Sequence, residues 1–173
     1  MSIDIAHADR GMIQAVLEQL RFGDYQEMMA SGVDFSTLPA VIMRHKVFAF
    51  CAFDYEDGPI AIWGLVTRRP GVGAGFAFGT DQWHRAVIPM LRQIRGFVLP
   101  FLVENGYHRV EAAALARRDD VRRFMELIGA EPEGLLRGYG TGGQDFTAYR
   151  WLKDEHGSAS ANRQTQNDSH TAH

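Results

Sequence analysis

Cysteine is almost missing from the 173-residue sequence, where Cys51 stands alone. A single thiol cannot close an intramolecular disulfide. Within its apolar run it reads as a small buried hydrophobe, since a nucleophilic thiol needs an activating neighbour and exposure. A dominant sign of charge is also missing: 18 Lys and Arg face 21 Asp and Glu, for a net charge of −3. That balance supplies no concentrated basic surface for a nucleic acid, although Arg117, Arg118, Arg122 and Arg123 crowd one segment. The most apolar stretch, Trp83 to Val103, is interrupted by Arg85, Arg92, Gln93 and Arg95, which a bilayer-spanning helix would not tolerate near its middle. The N-terminus shows no basic start followed by an apolar core. Seven histidines are scattered with no His-x-x-x-His and no cysteine pair, so no metal is expected. No Ser-His-Asp set and no internal repeat can be nominated either. What is present is an ordinary globular composition, 46% hydrophobic and 23% charged. It predicts a soluble protein of cytoplasmic character with no membrane partner.

The patterning predicts an α/β chain. Ser2 to Ala8 alternates as a short strand, and Asp9 caps a helix to Leu20 whose apolar face carries Met12, Ile13, Val16 and Leu17. Asp24 to Ala30 is a second short helix; residues 34 to 45 stay open, with Pro39 limiting any helix. Val47 to Phe53 and Ile60 to Val66 form a hairpin around Glu56-Asp57-Gly58-Pro59. Arg68 to Gly75 is a Gly-rich connection before a strand near Gly75 to Phe78. A long amphipathic helix follows, with Val87, Leu91, Ile94, Val98 and Phe101 on one stripe. Pro89 fits its first turn, and Pro100 should kink or end it. His108 to Leu115 is a strand, Asp119 to Ile128 a helix closed by Gly129, and Leu135 to Tyr139 with Phe146 to Leu152 a closing hairpin. One domain is expected over residues 1–152, then a polar, disordered tail over 153–173, where His170 and His173 read as solvated residues.

This order of elements resembles the GCN5-related N-acetyltransferase (GNAT) fold, a three-layer α/β architecture with a mixed central sheet and helices on both faces. Val121-Arg122-Arg123-Phe124-Met125-Glu126-Leu127-Ile128-Gly129-Ala130-Glu131-Pro132-Glu133-Gly134 is similar to the family segment where a short helix ends at a Leu-Gly-Phe turn and a strand starts with Glu-Gly. Ile3 to Leu20 resembles the family's first strand and helix, and the likeness spans roughly residues 2–152. More narrowly, Phe76-Ala77-Phe78-Gly79-Thr80-Asp81-Gln82-Trp83 resembles acetyltransferase-like proteins of tailed phages and prophages, including internal virion proteins of T7-like phages.

The resemblance implies acetyl-CoA as co-substrate between two splayed parallel strands, with an amine attacking the thioester directly. On that basis Phe78, Gly79, Thr80, Trp83, His84, Arg85 and Arg118 are the expected cofactor-contacting residues. Arg68-x-x-Gly71-x-Gly73 matches the family's phosphate signature literally, yet an apolar strand-like run follows it, so it reads as a hairpin loop. Arg118 and Met125 stand where relatives often carry an asparagine and a tyrosine acid. Glu111 is the leading candidate base, because its alternation partners Ala113 and Leu115 look core-facing and a buried Glu has a raised pKa or a partner. His84 is a second candidate, and Tyr139 is the candidate replacement acid. Trp83 reads equally as a packing anchor, and Asp119 and Asp120 as helix-start charges. Two functions remain open, beside a third in which the chain senses a small molecule bound in the same cleft. One is acyl-CoA-dependent transfer to an unknown small-molecule or protein amine. The other is a non-catalytic phage protein with a virion or host partner.

Overall fold

A computed structural model describes residues 3–153. The expected tail from residue 154 onward lies outside the described residues. A mixed sheet of seven strands runs in the order β1-β2-β3-β4-β5-β7-β6. The strands are β1 (Asp4–His7), β2 (Lys46–Asp54), β3 (Gly58–Arg69), β4 (Val72–Gly79), β5 (Arg109–Leu115), β6 (Glu131–Leu136) and β7 (Phe146–Leu152). The helices are α1 (Arg10–Leu17), α2 (Phe22–Ala30), α3 (Leu38–His45), α4 (Trp83–Gln93), α5 (Leu99–Glu104) and α6 (Asp119–Leu127). All neighbouring strands pair antiparallel except β4 and β5, which are parallel.

Period-two alternation in β2 and β3 builds both cores. Phe48, Phe50 and Ala52 of β2, with Trp63 and Leu65 of β3, pack under Met90, Leu91 and Ile94 on the α4 face. The intervening Ala49 and Cys51, with Ile62, pack against Ile13, Val16 and Ile42 of α1 and α3 on the other face. Cys51 is buried, and desolvation pushes its thiol up to about 12, which suits the packing role.

Several boundaries correct the sequence reading. α1 stops at Leu17, because Leu20 leaves the helix to bridge Thr80 at the end of β4. α3 does form, since Pro39 sits in its first turn, where a missing N–H costs nothing. Pro89 lies inside α4 rather than in its first turn. The helix that continues from α4 is long and apolar enough to cross a membrane by length and composition, but Met90, Ile94, Val98 and Leu102 on it cover the sheet. Pro100 acts as expected: before it, Ile94–Val98 forms a π-helical turn, with Leu99 N–H reaching back to the Ile94 carbonyl. The closing strand β6 begins at Glu131, earlier than Leu135. At the end of α6, Gly129 takes φ +80°, and Ala130 N–H bonds the Met125 carbonyl at 2.9 Å, a Schellman closure.

Candidate functional site

The only parallel pair in the described sheet is also the shortest. β4 and β5 are in register at Val72↔Arg109, Gly73↔Val110 and Ala74↔Glu111, and the ladder ends there. Residues 75–79 of β4 and 112–115 of β5 diverge and leave a slot. Along a strand, the N–H and C=O of one residue point to the same side, and this side alternates. Gly79 donates its N–H to Asp24 Oδ2 at 2.8 Å and accepts from Arg21 N–H at 3.0 Å, both away from β3. Ala77, two residues earlier, therefore turns its backbone groups into the slot. By the same alternation Leu115, whose N–H donates to Glu27 Oε2 at 3.0 Å, places the groups of Ala113 in the slot from the β5 side. The slot is thus edged by peptide groups that the sheet does not use.

A cavity of about 410 Å³ passes through this opening. Trp63, Met90, Ile94 and Leu102 wall it on the α4 face, and Met28, Leu38, Ile42 and Phe76 on the α2–α3 face. Ala77, Ala113, Glu111 and Glu27 line it between these ends.

α2 spans the open end as a clasp. Asp24 holds β4 through Gly79, and Glu27 holds β5 through Leu115. Arg118, 8% exposed, donates Nη2 to Asp24 Oδ1 at 2.9 Å and to Asp120 Oδ2 at 2.6 Å. Arg21 bonds Asp24 Oδ2 at 2.8 Å and stacks over the Trp83 ring at 4.3 Å. The remaining Arg118 donor, Nη1, reaches no hydrogen-bond partner and stays 3.6 Å from Glu27 Oε2. That weak attraction and the Leu115 bond do not offset desolvation, which lifts Glu27 to about 7; Asp24 and Asp120 push the same way. Glu27 is a group that exchanges a proton near neutrality beside an apolar cavity.

The expected site residues fall in different places. Phe78 and Trp83 line the cavity; Trp83 also packs edge-on against Phe124 at 5.4 Å. Gly79 is held by the clasp. Thr80 is buried, with its N–H on the Ile60 carbonyl at 2.8 Å and its hydroxyl accepting from Gln82 N–H at 3.2 Å. His84 is exposed at the start of α4. Arg85 is tied to Asp54 and Asp57, each at 2.6 Å, so it pins α4 to the β2–β3 turn. Arg118 belongs to the clasp and is not the solvated helix-start residue of the alternative reading. Glu111 lines the cavity at its closed end, but it is not buried: its side chain is 34% exposed and paired with Arg109 at 2.8 Å and Arg69 at 3.7 Å. Of its alternation partners, Leu115 is buried as expected but Ala113 is exposed, which corrects the expectation for the part of β5 around Glu111. Tyr139 packs on Phe146 at 5.3 Å outside the cavity wall. The literal Arg68-x-x-Gly71-x-Gly73 match is the tight turn between β3 and β4, as its context indicated. No group of His, Cys, Asp and Glu that could hold a metal occurs among the described residues. Asp24 and Glu27 were missed, although Arg21-x-x-Asp24-x-x-Glu27 puts one cation and two carboxylates on a single helical face.

No protein-family model matches the sequence, and no curated protein matches it. Solved structures do match. A GNAT-superfamily phosphinothricin acetyltransferase from Sinorhizobium meliloti, in complex with AcCoA, superposes with a TM-score of 0.66 at 10% identity, covering 88% of this chain and 89% of that one. Spermidine N-acetyltransferase from Vibrio cholerae, in complex with CoA and spermine, gives 0.63 at 13% identity over 88% and 96%. A GCN5-related N-acetyltransferase from Kribbella flavida gives 0.62 at 11% identity over 87% and 97%. At such identities the likeness establishes the fold: this chain has the three-layer GNAT architecture.

Proposed function

We propose that this chain is an acyltransferase that receives a pantetheine thioester, with acetyl-CoA as the first candidate, in the slot between β4 and β5 and passes the acyl group to an amine. One observation carries the reading: the parallel ladder stops after Ala74↔Glu111, and the peptide groups of Ala77 and Ala113 face an open slot. Such groups suit a ligand arm with amides of its own: Ala77 and Ala113 are exposed, and an arm lying in the slot would cover peptide groups that must then find partners in the arm. The thioester supplies an activated acyl carbon. The amine nitrogen forms the new C–N bond, the C–S bond breaks with its electrons going to sulfur, and the thiol leaves protonated. Glu27 takes the amine proton: both of its contacts fall on Oε2, and its pKa of about 7 lets it accept and return a proton near neutral pH.

The fit is unequal along the donor. The slot suits the pantetheine arm, but the loop before α4 does not suit a pyrophosphate. Gln82, Trp83 and Arg85 N–H groups are already bonded to Thr80 Oγ1, the Thr80 carbonyl and the Gln82 carbonyl. Asp81 adds an exposed carboxylate there, and Arg85 is spent on Asp54 and Asp57. Calorimetric titration with acetyl-CoA and with acetyl-pantetheine tests the reading. Both should bind, with affinities within about tenfold of each other, since a helix terminus with few free amides contributes about 1 kcal/mol. Binding of neither at millimolar concentration would sink it.

A second reading has one observation in its favour: the ion pairs of Arg21, Asp24, Arg118 and Asp120 already fill the open end of the slot. Under it the fold is kept for a virion-structural or host-protein contact without catalysis. Failure of both titrations is its expected result.

A further inference from the structure

We propose that the acceptor is a primary amine on an apolar body, an alkyl or aromatic amine, seated at the α2–α3 end of the cavity. The proposal rests on the acyltransfer reading for its chemistry, while its binding claim can be tested alone. That end is walled by Met28, Val33, Leu38, Val41, Ile42 and Phe76. Such a wall gives an alkyl or aryl group something to displace water from, at about 25 cal/mol per Å² of apolar surface buried. None of these six residues offers a charge to a polar substrate.

The charged groups nearby are those of the clasp, and their balance selects the ligand's head. Three carboxylates, Asp24, Glu27 and Asp120, face two guanidiniums, Arg21 and Arg118. With Glu27 ionised the cluster is one negative charge in excess, which matches a single ammonium group. An acceptor bearing its own carboxylate would need a free cation, but Arg118 is bonded to Asp24 and Asp120 and keeps only Nη1, which is buried 3.6 Å from Glu27 Oε2 and off the cavity wall, while Arg21 is held by Asp24 and the Trp83 ring. A polyamine would need further carboxylates along its length, and the apolar wall provides none. Glu27 and this wall belong to the same face of the sheet, so the group lying on the wall is attached to the nitrogen that gives Glu27 its proton. Reaction then joins that nitrogen to the acyl carbon, and sulfur leaves as the thiol.

Tryptamine, octylamine, spermidine and glutamate would each be titrated calorimetrically into the full chain at pH 8. The same amines would then be assayed for thiol release from acetyl-CoA. Tryptamine or octylamine should bind at least about tenfold more tightly than spermidine or glutamate, the value of burying one or two methylene-sized units. Leu38→Asp should remove that preference while leaving acetyl-CoA affinity within about twofold; Leu38 is half-buried, and Val41→Asp, at an exposed position, is the second variant if the first does not fold. Equal or tighter binding of spermidine or glutamate would overturn the proposal. So would turnover of octanoyl-CoA with spermidine exceeding that of acetyl-CoA with octylamine, because the wall would then belong to the acyl chain. Tight binding of the apolar amines without thiol release supports the site and removes the acyltransfer reading instead.

Discussion

The two ends of the β4–β5 pair are built from opposite materials. At the closed end, Glu111 sits among Arg69, Arg109, Glu133 and Arg150 in a partly exposed lattice of ion pairs, with Arg109 also bonded to Glu133. At the open end, Asp24, Glu27 and Arg118 are 5%, 19% and 8% exposed at the side chain and hold the diverging strands through single N–H groups. Both ends carry a glutamate on the cavity wall. At the open end desolvation outweighs the opposing charges and leaves the Glu27 carboxyl titrating near 7. Environment, rather than residue type, separates a structural glutamate from a chemically useful one.

The comparison breaks most readily on stability. Arg118→Ala takes the guanidinium from Asp24 Oδ1, leaving the buried carboxylate only Arg21 and Gly79 N–H on Oδ2, and should cost about 3 kcal/mol in urea denaturation, whereas Arg109→Ala, among hydrated pairs, should cost about 1 kcal/mol or less. Equal losses would show that the two ends are energetically alike. Next comes rate. Glu27→Gln keeps an oxygen for Leu115 N–H but loses the proton acceptor, so kcat/KM for thiol release should fall about 10²–10⁴-fold. Glu111→Gln should change it by about threefold or less, since both of its neighbours are guanidiniums that hold the side chain and not the amine. The reverse order would return the base to β5.

A smaller effect is the pH dependence of folding. Glu27 titrates at about 7 in the folded chain against 4.5 as the ordinary value, so the folded state binds this proton more tightly. That preference stabilises the fold below pH 4.5 and is lost as the pH rises through 7, on the order of 3 kcal/mol. Glu27→Gln removes this slope. It should match the parent at pH 4 and exceed it in melting temperature at pH 8; a parallel decline in both proteins would contradict the desolvated state of Glu27.

The architecture was largely legible because it rests on local periodicities. β2 and β3 carry continuous apolar runs, the stripe runs from Leu91 of α4 through Ile94 and Val98 of the π-helical turn, and Gly129 ends α6 as written. The slot was expected too, but through the resemblance to the GNAT fold rather than from any local pattern. The clasp was not. Asp24 bonds Gly79 across 55 positions, and Arg118 bonds Asp24 across 94. Nothing in a local window distinguishes a carboxylate destined for such a contact from one facing water. Glu111 reads as interior because Ala113 and Leu115 alternate with it; Leu115 is buried, but a small alanine borders an open slot as readily as a core, and Glu111 pairs with Arg69 and Arg109 instead.

The smallest expected effect separates a turn from a phosphate cradle. Gly71 ends the tight β3–β4 turn at φ +74°, a region that side chains seldom adopt, and a Cβ there would stand 2.5 Å from His108 Nδ1. Gly71→Ala should therefore cost about 1–2 kcal/mol of stability through backbone strain and a displaced His108 ring. Acetyl-CoA affinity should stay within about twofold of the parent, because the turn sits at the closed end, beyond the last paired residues that border the slot. A cradle would behave in the opposite way, losing ligand with little change in folding. A large loss of binding in Gly71→Ala would move the donor's phosphates to the far end of the strands and dissolve the distinction between the two ends.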